Sequence, residues 1–185
     1  FWDDEYRLNA LIANYPKPYI AFMQGFTMGG GVGISCHGSH RIVCDTSKIA
    51  MPECSIGLIP DVGGSFLLSQ VPGNLGYYLG LTGTQMNAAD AVFAGFADYY
   101  IPKDEWFNVI EFLEQSGDFS IIKNYSINPG KSHLSQNRKF FDNAFKFKKL
   151  SKIVNFLSNS ENRLAQLALQ KIEKNCPLAM TYTIE

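Results

Sequence analysis

Charge is scarce in this sequence, and what there is nearly cancels: 18% of the 185 residues are Asp, Glu, Lys or Arg, and the formal net charge is -1. A chain so balanced has no global pull toward nucleic acid or an anionic membrane surface. Long apolar runs are missing as well. None approaches the ~20 residues a membrane-spanning helix needs, so the expectation is a soluble chain with no membrane partner. Cysteine is limited to Cys36, Cys44, Cys54 and Cys176 at uneven spacing, which in a chain this long suits a reducing compartment rather than a disulfide scaffold. The start, at Phe1, carries no signal-peptide pattern. The end follows Pro177, a residue that often opens a helix, by only a few positions. The chain is therefore expected to be cut at both ends. What is abundant is apolar surface, 46% of residues, too much for disorder and about enough for one buried core.

Two textures divide the sequence. Residues 1–102 are rich in Gly and small apolar residues, whereas residues 103–185 hold few Gly and carry helical patterns. Glu5 to Ala13 has near-helical spacing until Pro16 and Pro18 break it. Tyr19 to Met23 reads as a strand buried on both faces, and His40 to Cys44 and Lys48 to Met51 as two more. Asn87 is placed to cap a helix over Ala88 to Ala94, with Gly95 as its stop. Asp104 is expected to cap another whose inner face is Trp106, Ile110 and Leu113. Strands alternating with helices predict an α/β fold.

Gly29-Gly30-Gly31 invites a nucleotide reading, which fails. The dinucleotide fingerprint lacks its third glycine, and a P-loop starting at Gly25 lacks its Lys and Ser or Thr. Three glycines in a row still mean close backbone approach or positive φ. At a helix start their free N–H groups suit a developing oxyanion, and a tight packing turn is the plainer alternative. Glu53 and Asp61 sit among Met51, Ile56, Leu58, Ile59 and Val62. An acid in such company has a raised pKa, useful to a general base near neutrality; capping a turn is the alternative.

Other candidates are weaker. Cys36, His37, His40 and Cys44 have zinc-like spacing, but adjacent Cys36 and His37 point to different sides of an element, so no metal is expected. No thiol-enzyme signature surrounds them. Ser65 lacks the second glycine of a nucleophile elbow. Residues 123–152 interleave lysines with Phe140, Phe141, Phe145 and Phe147; an amphipathic helix with a solvated basic face is favoured over base stacking.

Several of these segments together resemble the crotonase (enoyl-CoA hydratase/isomerase) superfamily. They are Lys17-Pro18-Tyr19-Ile20-Ala21, Gly25-Phe26-Thr27-Met28-Gly29-Gly30-Gly31-Val32-Gly33 and Leu81-Thr82-Gly83. Met51-Pro52-Glu53 and Ile56 to Gly64 resemble its 3-hydroxyisobutyryl-CoA hydrolase branch. The resemblance implies a spiral of ββα units that binds an acyl-CoA thioester. Residues 1–102 would form part of that core and residues 103–185 a helical region of the same domain, with leading strands and closing helices outside the chain. It implies Glu53 and Asp61 as catalytic acids, the Gly30 N–H as one of two oxyanion donors, and Glu5 as an acid near the substrate. The second donor would lie upstream of Phe1. Coenzyme A enters as part of the substrate, so no separate cofactor is implied. Hydratases carry a second glutamate where this chain has Gly33, which favours thioester hydrolysis in valine breakdown over water addition. An enoyl-CoA hydratase or isomerase and an inactive fragment are the rivals. The implied compartment is the cytoplasm, or the mitochondrial matrix in a eukaryote, and a homo-oligomer is compatible with the family.

Overall fold

The computed structural model describes residues 1–185, and it opens with helix α1 (Trp2–Ala13). Asn14 closes the helix two residues before Pro16, which cannot supply the next donor. Strands β1 (Ile20–Met23) and β2 (Phe26–Met28) follow, then the short helix α2 (Gly30–Ser35). The pattern repeats in β3 (His40–Val43), β4 (Lys48–Ala50), a 3-10 turn at Glu53–Ile56 and helix α3 (Gly64–Gln70). After α4 (Leu75–Thr82) and α5 (Ala88–Ala94) comes a last short strand, β5 (Tyr99–Tyr100).

All named strand pairs are parallel. β1 runs beside β3 from Ile20↔His40 to Met23↔Val43, and β2 beside β4 from Phe26↔Lys48 to Met28↔Ala50. The first strand of each unit thus stacks in one sheet, ordered β1-β3-β5, and the second in another. Two successive ββα turns laid one on the next make the spiral, and the α/β expectation holds. β1 is a continuous apolar run, whereas β3 and β4 open on His40-Arg41 and Lys48 and bury only their later residues. Ile42 and Val43 are fully buried.

Six helices complete the chain: α6 (Trp106–Ser116), α7 (Ile121–Tyr125), α8 (His133–Ala144), α9 (Leu150–Ser158), α10 (Arg163–Ile172) and α11 (Pro177–Ile184). The α5 boundaries follow the expected chemistry. Asn87 Oδ1 accepts the Asp90 N–H at 2.8 Å, and Gly95 ends the helix at φ +78°. The α6 expectation needs correction. Asp104 lies within a 3-10 turn at Lys103–Glu105 and caps nothing. The buried face is Trp106 and Val109, while Ile110 is 38% exposed. Trp106 sets this phase by donating its indole N–H to Ile101 O and packing with Ile42, Cys44 and Ile122.

The main core is a cluster of 33 buried residues running from Met23 to Ile184, so the spiral and the helices share it. Phe141 and Phe145 lie inside it, with the Phe141 ring centroid 4.0 Å from that of Tyr78. They are core groups, not stacking platforms, and Lys139, Lys146, Lys148 and Lys149 stay exposed beside them. Helical residues also brace the turn that carries Glu53: the Cys176 N–H donates to Cys54 O at 2.8 Å. No helix is long and apolar enough to cross a membrane.

Candidate active site

Glu53 begins the 3-10 turn directly after Pro52, so the chain leaves β4 and delivers this carboxylate inward. It is only 4% exposed, and its Oε2 has no hydrogen-bond partner. Burial pushes its pKa up to about 7, and the negative charge of Asp61 adds to the rise. Asp61 lies on the loop before α3, where it accepts a hydrogen bond from the Tyr6 hydroxyl at 2.9 Å. That contact joins residues 55 positions apart.

Helix α1 packs on α2 and supplies the rest of the wall. Glu5 and Asn9 are one turn apart on it, hence on one face. The Glu5 Oε1 atom lies 2.7 Å from where a Cβ on Gly30 would stand. Glu53 Oε1 lies 3.4 Å from the same point on Gly29. The Asn9 carboxamide sits 2.8 Å (Oδ1) and 2.9 Å (Nδ2) from that point on Gly33, with Val62 Cβ at 2.8 Å. Gly33 is thus required by close approach: a side chain there would occupy the space that Asn9 and Val62 take, and one on Gly30 would displace the Glu5 carboxylate.

Of the four residues expected from the sequence, Glu5 and Glu53 meet the start of α2 at Gly30 and Gly29, and Asp61 is joined to α1 through Tyr6. Sequence reasoning missed Tyr6 and Asn9. The available signal was slight: a polar Asn9 at helical spacing from Glu5, among Leu8, Ala10, Leu11 and Ile12. Val62 was read only as an apolar neighbour, yet it is a β-branched residue at φ +47°, an uncommon and strained conformation. His37 Nε2 lies 2.7 Å from its carbonyl oxygen and pins it.

The remaining candidates are engaged elsewhere. Cys36 Sγ lies 3.7 Å from Met23 Sδ, and burial pushes that thiol up to about 11. His40 Nδ1 lies 2.9 Å from Ser39 Oγ with its ring stacked on Tyr99, and Cys44 Sγ is 3.2 Å from Thr46 Oγ1. The Ser65 hydroxyl donates to Pro60 O.

This arrangement, a buried acid facing a glycine-lined helix start within a parallel spiral, has relatives. Residues 1–185 match the sequence profile of the enoyl-CoA hydratase/isomerase family over their whole length. The chain belongs to this family. A mitochondrial 3-hydroxyisobutyryl-CoA hydrolase of Homo sapiens is 33% identical over 195 residues, covering 100% of this chain and 50% of that protein. The small ribosomal subunit protein mS47 of Neurospora crassa is 36% identical over 194 residues, covering 92% of this chain and 37% of that protein. Among solved structures, a carnitinyl-CoA dehydratase from Mycobacterium thermoresistibile superposes with a TM-score of 0.95 at 41% identity, over 99% of this chain and 54% of that one. The chain thus spans about half the length of the human hydrolase, at 50%. A family that includes a hydrolase, a dehydratase and a ribosomal component does not dictate a reaction, so the chemistry has to come from the site.

Proposed function

We propose that the site hydrolyses a short-chain acyl-CoA thioester, with 3-hydroxyisobutyryl-CoA, an intermediate of valine breakdown, as substrate. The observation that carries the reading is Glu53: a buried carboxylate with one free oxygen and a pKa of about 7, beside Asp61 and the opening of α2. Such a group accepts a proton near neutrality. Water attacks the thioester carbonyl carbon while Glu53 takes one of its protons. Charge gathers on the carbonyl oxygen, where the Gly30 N–H, free at the first turn of its helix, donates. Collapse breaks the C–S bond, and the proton passes to the departing sulfur, leaving a free acid and the coenzyme A thiol. Attack by Glu53 itself, giving an anhydride that water then opens, uses the same groups and the same overall balance. Asp61, oriented by Tyr6, carries the second negative charge and shares the proton traffic. Glu5 lines the acyl side next to Gly30.

Water addition across an enoyl bond is the second reading, favoured by the dehydratase relative. It calls for a second acid on α2, and at Gly33 the room is taken by Asn9 and Val62. The human relative's name supports a mitochondrial setting for the hydrolase. The test uses the gene product that carries this chain. With 3-hydroxyisobutyryl-CoA, free thiol is expected to accumulate. Crotonyl-CoA is expected to keep its enoyl absorbance. Rapid crotonyl-CoA hydration without thiol release would replace hydrolysis by hydration, and no reaction with either ester would overturn both readings.

A further inference from the structure

Three buried side-chain atoms in the chain lack a hydrogen-bond partner, and all three belong to this site: Glu53 Oε2, Asn9 Oδ1 and Asn9 Nδ2. Buried polar atoms in folded proteins are nearly always paired, so each orphan calls for an explanation. Thioester hydrolysis accounts for the Glu53 oxygen. It does not account for Asn9, which is 5% exposed and spends both ends of its carboxamide on no one. Packing alone does not call for an amide there. A leucine has nearly the same branched outline and would fill the space beside Gly33 and Val62 without burying two unpaired polar atoms.

A carboxamide offers an acceptor and a donor side by side, the complement of a group that both donates and accepts, which a hydroxyl does. Its position on the site narrows the choice. Asn9 stands against Gly33, and Gly30 precedes Gly33 by three residues on α2. Residues so spaced are neighbours on a helix surface, about 5–6 Å apart at Cβ. Asn9 thus lies within one helical turn of the Gly30 N–H, and the proposed substrate carries a hydroxyl on the third carbon of its acyl chain, two carbons from the thioester carbon. We propose that Asn9 is a specificity-determining residue whose carboxamide receives a hydroxyl on the third carbon of the acyl chain. The proposal rests on the thioester-hydrolase reading and adds to it the residue that reads the substrate's hydroxyl.

The test compares 3-hydroxyisobutyryl-CoA with isobutyryl-CoA, which differ only by the hydroxyl, by kcat/KM for thiol release from the gene product carrying this chain. The unaltered protein is expected to prefer the hydroxylated ester by roughly 10–100-fold, because the unhydroxylated one leaves the buried amide unpaired. Asn9→Leu is expected to abolish most of that preference by losing rate on the hydroxylated ester alone, with an unchanged or raised Tm. Asn9→Ala, which only removes atoms, reads the same ratio if leucine prevents folding, since a ratio of two substrates does not depend on the folded fraction. No preference in the unaltered protein, an equal fall on both esters, or a preference that survives both substitutions would overturn the proposal. Absence of thiol release from either ester would instead overturn the hydrolase reading, and the role of Asn9 with it.

Discussion

Glu53 is the residue on which the proposed chemistry turns, and its burial has consequences for both rate and stability. With a pKa of about 7, kcat/KM for thiol release should rise as pH rises through that value and level off above it, as expected for a base active in its ionised form. Glu53→Gln keeps the shape and removes the base, so turnover should fall by about 10²–10⁴-fold. Stability should move the other way. The folded-state pKa lies above the ordinary 4.5, so between the two values the folded protein holds the proton that the unfolded chain has released. The native state therefore loses stability as pH rises across that window. Glu53→Gln removes the loss: its Tm should exceed that of the parent above about pH 7 and converge with it below about pH 4.5. A Tm advantage independent of pH would mean that ionisation of Glu53 is not what costs stability.

At the scale of elements, the site depends on how closely α1 lies on α2. Gly33 permits that approach, since a Cβ there would stand 2.8 Å from both Asn9 Oδ1 and Val62 Cβ. Gly33→Ala should push the helices apart and cost about 1–3 kcal/mol, as overpacking in a filled core does. Chemical denaturation reads the loss, and turnover should drop with it because Glu5, Tyr6 and Asn9 all ride on α1. A second junction lies away from the site. The Ser132 hydroxyl accepts the Ser135 N–H, capping α8, and donates to Asp90 Oδ1, which also accepts the Leu134 N–H. This knot ties α5 to the start of α8. Ser132→Ala should lower stability by roughly 1–2 kcal/mol and leave thiol release unaffected.

At the scale of the whole molecule, the spiral and the helical half are not independent. One buried cluster runs from Met23 to Ile184, and Asn175 reaches back to donate to Leu81 O at 2.8 Å. Phe141, on α8 but packed on Tyr78 of α4, is part of that shared interior. Phe141→Ala should cost about 3–5 kcal/mol. Because the core is common, protection of the β1 and β3 amides against hydrogen exchange should fall together with that of α8. Loss of protection confined to the helices would show two separately folding units.

Legibility in the sequence followed the range of the forces involved. Short-range chemistry was readable. Pro16 and Pro18 mark the end of α1, an apolar run marks β1, short strands were legible at β3 and β4, and Asn87 and Gly95 bracket α5, each a local effect of backbone geometry or solvation. The glycine run, Glu53 and Asp61 stood out as combinations, and the family resemblance is what assigned them roles. What only the tertiary structure decided was long-range. The phase of α6, with Val109 rather than Ile110 inside, came from where Trp106 finds Ile101 O and the Ile42–Ile122 patch. The pairing of Tyr6 with Asp61, and the wedging of Asn9 against Gly33, join α1 to segments far along the chain. No local preference encodes such contacts, because they arise only when the parallel spiral stacks its units and brings α1 down onto α2. The sequence by itself therefore marked the candidate side chains, while the packing of distant elements decided which of them meet and which polar atoms are left waiting for a partner.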